Sequence, residues 1–198
     1  MDLRRWSGRW RSAGFHNGAA VLVSSAGVHK DNHILIVHRN GRIIDLPGIR
    51  PAFDETVDTF RDRHWHFQEG LFPVQSGPKR CAGLQCHGIR YIDTNGREVV
   101  RAPRNAIAAR HFFENYAVVT IPDQSPWMNR HVLLERFGNV RSGEYIYSSD
   151  VKGGLFMACT KFINDGGYPG CPRDTLFSVS MDSKGRLNDY FAKRNCRQ

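Results

Sequence analysis

The 198-residue chain is 40% apolar and 11% aromatic without any low-complexity run, which excludes an extended disordered polymer and predicts a packed core. No apolar run reaches the ~20 residues of a membrane-crossing helix, and MDLRRWSGRWRS lacks the apolar centre of a secretory leader; a soluble, intracellular, cytoplasmic protein with no membrane partner is expected. Of 28 cations only six are lysine, so 22 arginines dominate the formal charge of +9; their planar guanidinium groups suit phosphate and stacked bases, and RNA or a nucleotide is the expected partner.

In chain order, residues 1–14 read as a basic arm in which Arg4, Arg5, Arg9 and Arg11 alternate with Trp6 and Trp10. Arginine on phosphate and tryptophan on bases would let such an arm follow a nucleic acid; a strand with both tryptophans packed on the domain serves the same pattern. Residues 15–150 read as one domain. Gly18–Ser25 and His33–Arg39 are short, β-branched runs bounded by turn formers and predict buried strands. Asn40-Gly41 then predicts a two-residue hairpin into RIIDL, which ends at Leu46-Pro47-Gly48.

From Phe53 to Glu69 the spacing predicts a helix. Asp54 is its cap, Val57, Phe60, His64, Phe67 and Leu71 form its apolar stripe, and Gly70 stops it. Phe72–Gly83 reads as loop. Gly88–Arg101 repeats the hairpin signature around Asn95-Gly96, Asn105–Phe113 reads as a short helix, and Tyr116–Ile121 as a strand. His131–Arg136 and Glu144–Ser149 read as further strands, or as a strand after a short helix. Residues 151–198 form a C-terminal extension packed on the same domain, with a helix over Lys152–Ile163 and a strand over Thr175–Met181. Cys81, Cys86, Cys159, Cys171 and Cys196 lack paired metal-knuckle spacing and read as free thiols.

The strand, turn, strand, Pro-Gly loop and helix over Ile34–Leu71 resemble the Nudix hydrolase superfamily. Glu55, Arg63, Gly70 and Leu71 fall in the register of that family's box, Trp65 takes its aliphatic position, and Asp45-Leu46-Pro47-Gly48 resembles the strand end leading into it. The resemblance implies an α+β fold, a Nudix-like mixed β-sheet flanked by helices, with the C-terminal segment as an extension. It also implies a ligand face, to which Arg50, Arg63, His64 and Gln68 are assigned. The box is degenerate, because its acidic positions hold His64, Phe67 and Gln68, and phenylalanine cannot coordinate magnesium.

The expectation is therefore a domain that has lost hydrolysis and serves as a binding or scaffolding module for RNA or a nucleotide. Arg4, Arg5, Trp6, Arg9, Trp10 and Arg11 are its nucleic-acid contacts, and no metal or cofactor is expected. One alternative is an active pyrophosphohydrolase that uses Glu55 and Glu69 with magnesium or manganese. The other is a structural or assembly protein of a virion or ribonucleoprotein, with a protein partner. Packing of the face bearing His64, Phe67 and Gln68 would remove a nucleotide site built on this register.

Overall fold

The computed structural model describes residues 10–24, 33–53, 65–77, 79–81, 84–122, 129–145, 147–148, 155–159, 176–181 and 187–189. The first sheet joins β1 (Trp10–Arg11), β2 (Phe15–His16), β3 (Ala19–Ser24), β4 (His33–His38) and β5 (Ile43–Pro47), with β1 and β2 both pairing with β3. The second draws on β6 (Arg50–Pro51) and β7 (Phe72–Gln75). After the small hairpin of β8 (Lys79–Cys81) and β9 (Leu84–Cys86), it is completed by β10 (Arg90–Ile92) and β11 (Glu98–Arg101), in the order β11-β10-β7-β6. The third is a meander of β12 (Ala108–Phe113), β13 (Tyr116–Pro122), β14 (Asn129–Glu135) and β15 (Val140–Tyr145). A fourth joins β16 (Tyr147–Ser148), β17 (Leu155–Cys159), β18 (Leu176–Met181) and β19 (Leu187–Asp189). Pairing is antiparallel throughout.

Two apolar clusters explain how the first three sheets pack. One holds Val21, Val23, Ile34 and Ile36 of the first sheet against Phe72, Val74 and Ile92 of the second. The other holds Tyr91 and Val100 of the second sheet against Ala109, Phe112, Val119, Val132 and Leu134 of the third. Successive side chains on a strand point to opposite faces, so Ile92 and its neighbour Tyr91 serve different clusters. The second sheet is thus the central layer, and all four residues of β7 are buried.

The α+β expectation is corrected: the described residues contain no helix, and no helices flank a mixed sheet. Most of the helix that the spacing predicts over Phe53–Glu69 lies outside the described residues, but its end does not. Trp65–Leu71 bends at His66 and closes on a tight turn, with Gln68 and Leu71 exchanging both backbone hydrogen bonds at 3.0 Å. Glu69 (φ 51°) and Gly70 (φ 76°) both have positive φ, as a type I′ turn requires and a helix forbids. Phe67 and Leu71, which should share a helical stripe, enter different apolar clusters.

The helix expected over Asn105–Phe113 is strand β12. A bulge between Ala109 and Phe112 shifts its alternation, so the buried residues fall at 108, 109, 111 and 112 and imitate helical spacing. The helix expected over Lys152–Ile163 contains β17, and the loop expected over Phe72–Gly83 contains β7 and β8. Asn40-Gly41 also differs from the expected two-residue turn. Val37 pairs with Ile43, and His38 donates to the Arg42 carbonyl at 2.9 Å, leaving a three-residue loop closed by Gly41 at φ 82°.

Candidate nucleic-acid interface

One corner of the first sheet brings exposed aromatic rings and arginines together. Asn17 (φ 51°) and Gly18 (φ 80°) form a type I′ turn that sets His16 opposite Ala19. Ala19 is also paired with His38, so the β4–β5 hairpin lies alongside, and Arg39 donates its backbone N–H to the Gly18 carbonyl at 3.2 Å. The Arg39 guanidinium thereby stands over the Phe15 ring, 5.9 Å from its centroid, while Phe15 remains 46% exposed.

The next residue, His16, points to the other face of β2 and begins a column of imidazoles. The exposed His16 ring lies 4.3 Å from the His66 ring at an interplanar angle of 36°, and His66 stacks on His111 at 4.9 Å and 27°. His111 is buried and meets Phe53 at 4.8 Å and Phe72 at 6.1 Å, which roots the column in the core. Asn17 Nδ2 donates to the Phe67 carbonyl at 3.2 Å and holds the His16 hairpin against the segment bearing His66. Face-to-face imidazoles direct their nitrogens sideways instead of at one centre, which suits stacking better than chelation. Among the described residues, no group of three His, Cys, Asp or Glu side chains is placed to hold a metal ion.

A second polar cluster lies where β6 meets β7. Arg50 is paired with Gln75, whose Nε2 donates to the Pro51 carbonyl at 3.0 Å and whose Oε1 is 3.0 Å from His87 Nδ1. Burial, and then the Arg50 charge, push the His87 pKa below its ordinary 6.5. Arg90 donates to the Ser76 hydroxyl at 2.6 Å and stands 3.9 Å from Glu98, which also takes two hydrogen bonds from Arg101. The Arg101 hydrogen bond is the main reason that the Glu98 carboxyl titrates below the usual glutamate range. Arg50 differs from these two arginines: its Nε is buried and has no hydrogen-bond partner among the described residues.

No family model, no curated protein and no solved structure matches the chain.

Glu55, Arg63, His64, Arg4, Arg5, Trp6 and Arg9 lie outside the described residues. Trp10 is a half-buried strand residue with its ring edge-on to His33 at 5.6 Å, and Arg11 pairs with Val23. Phe67, at a position where the Nudix box carries a metal-binding acid, is fully buried core, so a nucleotide site at that position would have to displace it.

Gln68 and Glu69 share a hairpin tip. Both Glu69 carboxylate oxygens accept backbone N–H groups of the β12–β13 turn, one from Glu114 and one from Asn115 at 3.1 Å. Arg136 is 3.6 Å from the same carboxylate. Of the expected ligand residues, Arg50 stands in a polar cluster with a donor that has no partner among the described residues. Phe15, His16, Arg39 and His111 escaped the linear reading because no spacing in the sequence links them. The Asn17-Gly18 dipeptide, an unread hairpin signal immediately after Phe15-His16, would have pointed toward the corner.

Proposed function

We propose that this chain is a binding module for single-stranded RNA. The observation that carries the reading is the exposed Phe15–Arg39 pair, with the exposed ring of the adjacent residue His16 on the other face of the same strand. Binding to single strands without regard to sequence combines flat aromatic faces for bases with cations for the backbone. The corner supplies both, because Phe15 and His16 offer ring faces while Arg39 and Arg42 are exposed on the adjoining hairpin. The arginine-dominated net charge of +9 supports the same partner by drawing a polyanion toward the protein.

Each phosphate neutralised on a single strand contributes about −0.7 to the slope of log affinity against log salt. Filter retention of a labelled single-stranded RNA across a salt series is therefore expected to give a slope of about −2 or steeper. Absence of retention at low salt would overturn the proposal.

One observation favours assembly as a second reading. Phe137, at the β14–β15 hairpin tip, is 89% exposed, and Val140 beside it is 48% exposed. Light scattering at rising concentration tests it: self-association lost in Phe137→Ser supports assembly, and a monomer at every concentration counts against it.

A further inference from the structure

The cluster of Arg50, Gln75 and His87 lies apart, in its chemistry, from the stacking corner. Gln75 is buried, and donation from its Nε2 to the Pro51 carbonyl fixes which end of its amide faces His87. The facing atom is then Oε1, which can only accept, so His87 Nδ1 carries the hydrogen. In the neutral ring Nε2 is consequently a lone-pair acceptor. The neighbouring Arg50, a guanidinium cation, has a buried Nε–H without an acceptor among the described residues.

We propose that Arg50 and His87 form a binding site for a phosphate monoester, of which inorganic phosphate is the simplest member. A phosphate monoanion meets both requirements: one of its oxygens accepts from the Arg50 guanidinium, and its P–OH donates to His87 Nε2. If that proton moves onto Nε2, a phosphate dianion faces an imidazolium, and no proton is gained or lost by the complex. A sulfate has no proton to give at neutral pH and would set its oxygens against the Nε2 lone pair. A metal cation would be repelled by Arg50. The lowered His87 pKa agrees with a ring kept neutral until an anion arrives, since both burial and the Arg50 charge act against its protonation.

The test follows the His87 ring in protein labelled with 15N-histidine, with His87→Asn assigning the resonance. Inorganic phosphate is expected to shift that resonance saturably and to raise the His87 titration midpoint. Sulfate at matched ionic strength is expected to act more weakly. Arg50→Gln should weaken phosphate binding by about tenfold or more, as loss of a charge-assisted hydrogen bond does. The amide spectrum of the variant shows whether its fold is intact.

A His87 ring indifferent to phosphate in the wild-type protein overturns the proposal, as does equal binding in a folded Arg50→Gln. Two oligoribonucleotides separate the sources. Response to a 5′-phosphorylated strand but not to its 5′-hydroxyl twin supports the site and makes an RNA end its ligand. Response to inorganic phosphate and neither strand supports it with free phosphate as the ligand, whereas equal response to both strands overturns it, because internal diesters lack the proton. RNA retention on filters is a separate readout, so failure here leaves the stacking corner to be judged by its own test.

Discussion

Glu69 illustrates how a residue's meaning depends on what the fold brings to it. In the chain it is an acid before a glycine, placed where a helix would end. In the structure it stands in a type I′ turn, and its two oxygens accept the N–H groups of a second such turn at Glu114 (φ 52°) and Asn115 (φ 68°). Glu69→Gln keeps the size but loses the charge on those hydrogen bonds and the attraction to Arg136. A stability loss of about 1–3 kcal/mol is expected in urea unfolding, and an unchanged midpoint would refute this role.

His87 gives a pH prediction at the same scale. Its folded pKa lies below its ordinary 6.5, so in acid the unfolded chain takes up the proton first. Its contribution is fully present above pH 6.5 and is lost as pH falls through the folded value. Thermal melts of His87→Asn should show a shallower decline across that window than the wild-type protein. A parallel decline would assign the acid sensitivity to other groups. Neither role was legible in the sequence, because each partner sits on a different hairpin.

Hairpins were the most legible elements. The strands at Ala19–Ser24, His33–His38, Ile43–Pro47 and Tyr116–Pro122 follow from β-branched runs between turn formers, and the structure contains them. The loop closures needed more than the dipeptide. At Asn95-Gly96, as at Asn40-Gly41, only the glycine has positive φ, and the hairpin spans three loop residues, with Asp93 Oδ1 accepting from the backbone N–H of Asn95 and Arg97.

Gly96 (φ 73°) also approaches the first sheet, since an added Cβ would stand 3.3 Å from Ile44 Cγ2 and 3.5 Å from Leu46 Cδ2. Gly96→Ala is expected to cost about 1–2 kcal/mol from left-handed strain before any repacking. A variant as stable as the parent would show that this hairpin does not dock as described. The false helices have different causes. The β12 bulge counterfeited helical spacing, and Phe67 and Leu71 resemble a stripe only while the turn between them goes unrecognised.

At the scale of the sheets, the second sheet contributes apolar residues to both clusters, one shared with the first sheet and one with the third. Charge composition pointed to a polyanionic partner, whereas the docking place proposed for it rests on Phe15, His16 and Arg39, which the β2–β3 and β4–β5 hairpins bring to one corner of the first sheet. The most direct test of that corner is fluorescence anisotropy with two oligomers of equal phosphate count, one an ordinary single-stranded RNA and the other abasic. The wild-type protein should bind the ordinary strand more tightly, and the double variant Phe15→Ala, His16→Ala should lose about tenfold on that strand while binding the abasic one as before. Equal affinity of the wild-type protein for both oligomers, or a double variant that binds the ordinary strand undiminished, would contradict the account.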